Sequence, residues 1–172
     1  MSKIAKKIVD LTGVKYEYND TQFTVIGNLG TNIVNIPNGI KLIIEDNNLI
    51  VDGDNLALAG TINRLVNNAV NGVKKLFEKK LQMVGVGYKG SVSNNIITFN
   101  VGYSHPILVN VPEGITVKFE TPTRIILTSI NKEKVGNFNK YISTKVRKYN
   151  VYSGKGILED NVFYRRKETK RK

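Results

Sequence analysis

The sequence predicts an α+β fold of two duplicated small domains, each an antiparallel sheet with a helix packed on one face. Three observations predict it: an internal repeat, short runs in which apolar residues alternate, and two longer stretches in which they recur every three or four positions.

The repeat appears when Gly27 to Ile40, GNLGTNIVNIPNGI, is set beneath Gly102 to Ile115, GYSHPILVNVPEGI. The segments align without a gap and share Gly27/Gly102, Val34/Val109, Asn35/Asn110, Pro37/Pro112, Gly39/Gly114 and Ile40/Ile115. With one residue inserted, Gly60-Thr-Ile-Asn63-Arg64 falls on Gly136-Asn-Phe-Asn139-Lys140, and Val70 on Val146. Two copies of one unit in 172 residues imply two domains, 1–79 and 80–172, each able to bury a modest core.

In the first copy Val14, Tyr16 and Tyr18 alternate with Lys15, Glu17 and Asn19, the period of a half-buried strand. Ile33 to Pro37 and Lys41 to Glu45 are further strand-like runs, ended by Pro37-Asn-Gly39 and Asp46-Asn-Asn48. The period then changes. Leu58, Ile62, Leu65, Ala69, Val73 and Leu76 follow helical spacing, and Val66, Val70 and Phe77 widen the stripe. The second copy repeats the plan, with strands near Leu81–Val86, Ile96–Val101, Ile107–Val111, Thr116–Phe119 and Arg124–Leu127. Val135, Phe138, Ile142, Val146 and Tyr149 then follow along a helix.

Composition narrows the function. No apolar run approaches the roughly 18 residues of a membrane span, and Met1 to Asp10 has no apolar signal-peptide core, so the chain is expected to stay in the compartment that makes it. Cysteine is absent, which excludes disulfides, thiolate nucleophiles and Cys-ligated zinc, and His105 is the sole histidine. A binding protein without cofactor, metal or small-molecule substrate fits better than an enzyme. The net charge of +12 is uneven. Residues 132–172 hold 13 Lys and Arg against 4 acids, whereas residues 11–73 hold 3 against 6. Concentrated positive charge is the footprint of a polyanion binder, with nucleic acid the leading partner and an anionic membrane surface the weaker one.

Gly85-Val-Gly-Tyr-Lys-Gly90 matches the letters of the dinucleotide-binding GxGxxG pattern, yet a true fingerprint opens a helix. Here Ser91 to Phe99 reads as a turn and another strand, so close packing or a bulge explains the glycines better. Ser153-Gly154-Lys155-Gly156 lacks the upstream glycine of a phosphate-binding P-loop and the Ser or Thr after its lysine. Glycines flanking Lys155 could still admit backbone N–H groups to a phosphate, although a plain surface turn is the alternative. The tail carries Arg165, Arg166, Lys167, Lys170, Arg171 and Lys172 and reads as an unfolded basic arm. With Lys145, Arg147 and Lys148 on the preceding helix and Lys155 in the loop, it could form one phosphate-neutralising surface. His105 precedes Pro106 in a turn with no nearby acid to orient it, and Asp46, Asp52 and Asp54 read as turn and capping residues, not a magnesium site.

Several of these runs together resemble the bacterial form of the ribosomal large-subunit protein six family. They are Asn67-Asn68-x-Val70-x-Gly72-Val73, LQMVGVGYK from Leu81 to Lys89, GYSHPI from Gly102 to Ile107, PEGI from Pro112 to Ile115, and GKGI from Gly154 to Ile157 followed by Arg165-Arg166-Lys167. They stand in the family's order and spacing, Met1-Ser2-Lys3-Ile4 is similar too, and the resemblance covers nearly the whole chain. It implies two duplicated α+β domains and a structural, cytoplasmic role in the large ribosomal subunit. It also implies that the C-terminal domain binds large-subunit rRNA near the sarcin–ricin loop, the factor-binding site and the stalk base. Neighbouring ribosomal proteins at the stalk base would then be partners, with translation factors close by. Carried over by motif, the rRNA-binding set is Lys145, Arg147, Lys148, Tyr152, Gly154, Lys155, Gly156, Arg165, Arg166, Lys167, Lys170, Arg171 and Lys172. The chain departs from the family where Asn150-Val151 replaces prolines and a glutamate, where Ser153 replaces a lysine, and where Gly27-Asn-Leu-Gly30 replaces a lysine-containing turn. Lys145 to Lys148 match as a group only. A free-standing nucleic-acid-binding or RNA-chaperone module is the rival reading, separated from the ribosomal one only by these motifs.

Overall fold

The computed structural model describes residues 7–19, 21–45, 47–160 and 162–168. They divide into two compact units, the first running to Phe77 and including Ile130–Lys132, the second comprising Glu78–Ser129 and the chain from Glu133 onward.

In the first unit, β1 (Val9–Asp10), β6 (Asn48–Gly53) and β5 (Ile40–Glu45) form one antiparallel sheet in the order β1-β6-β5. β2 (Lys15–Asn19), β3 (Gln22–Gly27) and β4 (Gly30–Asn35) form a second antiparallel sheet with β3 central. The helix α1 (Leu56–Lys74) packs against β1, β3, β4 and β6. It starts where it does because the Asn55 side chain accepts from the backbone N–H of Ala57 at 3.0 Å and of Leu58 at 3.4 Å, satisfying two of the N–H groups a helix start leaves unpaired. Its buried stripe is Ala59, Ile62, Val66, Ala69, Val70 and Val73, closed against Phe23, Val25 and Leu49. Each large side chain taken fully out of water here contributes about 1.5–3 kcal/mol.

The second unit repeats the plan and extends it. β8 (Lys89–Ser93), β9 (Ile96–Asn100) and β10 (Ile107–Asn110) form an antiparallel sheet with β9 central. β7 (Phe77–Val84), β11 (Thr116–Thr121) and β12 (Arg124–Ser129) form the other sheet, and β13 (Gly156–Glu159) adds a fourth strand, giving the order β11-β12-β7-β13. The helix α2 (Lys132–Tyr141) runs into a π-helical turn, Ile142–Val146. At the junction the Thr144 hydroxyl donates to the Lys140 carbonyl at 2.6 Å and Ser143 to the same carbonyl at 3.2 Å. These hydroxyls compete for the carbonyl that a regular helix would give to a backbone N–H, and the last turn widens. Val135, Phe138, Ile142 and Val146 all enter the core with Ile97, Phe99, Ile125 and Leu127.

The α+β architecture follows the sequence, with two differences of detail. The strands of each unit are divided between two sheets, and β1, β3, β6, β8 and β13 form where no separate strand was expected. On the expected helix faces, Leu58 is exposed, Leu76 lies beyond α1, Phe77 opens β7 instead of widening the helix stripe, and Tyr149 lies beyond the π turn.

Candidate nucleic-acid interface

The loop between the π turn and β13 is built around Asn150. Its side-chain oxygen accepts from the backbone N–H of Tyr152 at 2.9 Å and of Ser153 at 3.3 Å. Its own N–H donates to the Lys155 carbonyl at 2.9 Å, and its carbonyl accepts from Gly154 N–H at 2.8 Å. Lys155 N–H donates to the Ser153 hydroxyl at 3.4 Å. The backbone N–H groups of Asn150 and of Tyr152 through Lys155 are thus engaged within the loop, whose side chains face a ligand.

Gly156 has a packing reason. Its φ is +144°, and a Cβ there would stand 2.5 Å from Tyr149 Cα and 2.9 Å from the Lys148 carbonyl oxygen. Only glycine lets these two chain segments cross as β13 enters the sheet beside β7. This packing requirement at Gly156 is separate from the expectation that a missing side chain serves phosphate approach. Gly154, at φ +70°, lies beside the Arg166 guanidinium.

The tail, expected as an unfolded arm, folds back over residues 162–168. The Tyr164 ring packs on Tyr149 with centroids 5.1 Å apart, the Tyr164 hydroxyl accepts from Glu159 N–H at 3.4 Å, and Lys167 N–H donates to the Val151 carbonyl at 3.0 Å. Charge composition alone suggested a free arm; two tyrosines and a backbone bond bring it onto the loop.

Arg147, Lys148 and Lys155 line one cleft of about 340 Å³ together with Tyr103, Asn150 and Ser153. The Arg147 guanidinium lies 4.6 Å from the centre of the Tyr103 ring, a cation–π contact. Hydrogen bonding to Tyr103 and, more weakly, to Tyr88 holds the Arg147 pKa above its ordinary value. Lys148, Lys155 and Arg166 are exposed and form no ion pair among the described residues; Lys79–Glu159 and Lys80–Glu78 pair elsewhere in the unit. Uncompensated cations on a pre-shaped loop favour an anion with several charges.

The structure thus brings Arg147, Lys148, Gly154, Lys155 and Arg166 together, with the backbone of Lys167 bonded to the same loop. Tyr152 is half-exposed on that loop. Lys145 is exposed on the π turn and does not line the cleft, and Arg165 is exposed on the tail. Lys170, Arg171 and Lys172 lie outside the described residues. Sequence reasoning missed Tyr103, which holds Arg147, and Asn150, which shapes the loop. The GYSHPI run held the first of these in plain view. Asn150, already noted as a departure from the family, could have been read as a turn-former.

The other candidates resolve into packing. In GxGxxG, a Cβ on Gly85 would meet the Tyr88 ring at 2.7 Å and one on Gly90 would meet Phe119 at 2.7 Å, and the run leads into β8, not a helix. His105 is exposed, its Nδ1 3.4 Å from the Ser104 hydroxyl. Asp52 accepts from Gly53 N–H at 3.0 Å, and Asp46 lies outside the described residues. Among the described residues no group of three or more His, Cys, Asp or Glu could hold a metal ion, and no helix is long and apolar enough to cross a membrane.

The family model described as ribosomal protein L6 matches residues 84–160, the span that contains this loop. Over 99% of its length the chain is 41% identical to the large ribosomal subunit protein uL6 of Mycoplasma genitalium, covering 97% of that protein. It is 40% identical to the uL6 of Variovorax paradoxus and 38% identical to that of Teredinibacter turnerae, in both cases over the full length of both chains. With likeness of this degree along its whole length, the chain belongs to the ribosomal protein L6 family.

Proposed function

We propose that the chain is a non-enzymatic structural constituent of the large ribosomal subunit in the cytoplasm, and that its second domain binds large-subunit rRNA through the loop from Arg147 to Lys155 and the tail folded against it. The observation that supports the binding surface is the convergence of Arg147, Lys148, Lys155 and Arg166 on a single loop with no acidic partner among the described residues. Such a surface gains affinity by releasing counterions from phosphates and positions the protein without reading bases. Its finer placement is near the sarcin–ricin loop, the factor-binding site and the stalk base, beside neighbouring ribosomal proteins and within reach of translation factors.

The test has two stages. The native chain should sediment with large subunits after a high-salt wash; recovery in the free RNA-bound fraction would favour the free-standing module instead. In reconstituted subunits, chemical probing with and without the chain should protect the sarcin–ricin stem and stalk-base nucleotides. Protection confined to other rRNA regions would refute the placement while leaving subunit membership intact.

A further inference from the structure

The Gly85–Tyr88 turn is bonded by Tyr88 N–H to the Gly85 carbonyl at 3.2 Å, with Gly87 at φ +74°. Its third position needs glycine; its second, Val86, is free to be almost anything. Val86 is nevertheless an apolar residue that is 90% exposed. The antiparallel register pairs Val84 with Gly156, so the turn that follows Val84 and the cationic loop that precedes Gly156 leave the sheet side by side. Tyr88 is buried beneath the turn with its ring beside Gly102, and Tyr103, the next residue, carries the Arg147 guanidinium over its ring.

The first domain holds the same turn without these properties. Val14 N–H donates to the Leu11 carbonyl at 3.2 Å, and Gly13 sits at φ +78°. At its tip Thr12 donates through both N–H and hydroxyl to the Asp10 carboxylate, and the adjoining cleft has Lys15 as its only cationic lining residue. An unshielded apolar tip occurs in the copy whose neighbouring loop is cationic.

We infer that Val86 is a second rRNA-contacting element, packing into the shallow minor groove of a double-helical segment while Lys148 and Lys155 meet nearby phosphates. Val86 has no donor or acceptor with which to read a base edge, and it is too small to stack on an unpaired base. Tyr88 in the same turn is buried, and Tyr103 is covered by Arg147. The A-form minor groove is wide, shallow and lined by riboses, and it is recognised by shape; the deep, narrow major groove would not admit a turn. This inference rests on the rRNA-binding reading of the adjacent loop.

The chain contains no cysteine, so Val86→Cys in the full-length protein gives one attachment point for an iron chelate. In reconstituted large subunits, hydroxyl radicals from the chelate tethered to that thiol should cleave both strands of one rRNA helix, offset across its minor groove. Val86→Ala should weaken binding of the full-length protein to large-subunit rRNA by a factor of about 3 to 10, the loss expected for two buried methyl groups, and leave the salt slope unchanged. Cleavage confined to unpaired nucleotides, attachment-site crosslinks to a ribosomal protein alone, or unaltered affinity of Val86→Ala would each overturn the inference while leaving the loop's role standing. Salt-insensitive binding by the unsubstituted protein would overturn both.

Discussion

In the first domain the turn Leu11–Val14 is tied down by Asp10, and α1 hands the chain directly to the next strand through Lys75. In the second the matching turn carries Val86 into solvent, and α2 hands the chain to a π turn, a cationic loop and an added strand. The cores do the same work in both. Asn63 and Asn139, matched in the repeat, are buried on the two helices and anchor a separate chain segment each: Asn63 donates to the Lys7 carbonyl and Asn139 to the Glu159 carboxylate, both at 2.6 Å. A duplicated scaffold therefore constrains buried positions alike, while function is free to diverge wherever the chain leaves the sheets. Four variants break or sharpen this contrast.

The largest effect is expected for Gly156→Val. The new side chain would collide with the Tyr149 backbone and hold a strained φ, costing about 3 kcal/mol or more in chemical denaturation of the second domain. Unchanged stability with lost RNA binding would instead restore phosphate approach as the reason for this glycine.

Replacing Lys148, Lys155 and Arg166 together with glutamine should lower rRNA affinity by about 100-fold and flatten the salt dependence by about 2 to 3 log units per log unit of salt. The same treatment of Lys15, Lys41 and Arg64 in the first domain should change neither. Equal losses from the two triple variants would show that both repeats carry the binding.

The smallest effect concerns the first-domain turn. Asp10 is held below the ordinary carboxylate pKa by accepting first from the Thr12 hydroxyl and then from Thr12 N–H. A depressed folded pKa contributes stability above the unfolded value of about 3.9 and loses it as pH falls through the folded one. Thr12→Ala should raise the Asp10 pKa toward the ordinary value in an NMR titration, with the melting point at neutral pH scarcely moved. A titration identical to that of the unsubstituted protein would mean the turn tip is not closed in solution.

Much of the fold was legible because burial imposes a period. Ile62, Val66, Ala69 and Val73 mark α1, and Val135, Phe138, Ile142 and Val146 mark the helix that follows β12, whatever the local geometry of its last turn. β8 was not legible, since Lys89–Ser93 is short, contains Gly90 and buries none of its side chains fully, so nothing alternates. At the site the cations were readable as charge, but their arrangement was not. It depends on Asn150 bonding to its own loop, on Tyr103 reaching Arg147 from another segment, and on Tyr164 meeting Tyr149. These contacts are single and aperiodic, and periodicity cannot signal them.

β13 has a consequence in time. It pairs with β7, whose residues open the second domain's sequence, while β13 and the tail beside it come near that sequence's close. In a chain emerging from synthesis the Arg147–Lys155 loop stays open at one end until Gly156 to Glu159 reach Val84 to Leu81. The cationic surface thus takes shape only after β13 has been made, and a chain cut short before β13 would carry most of the charge without the form that directs it.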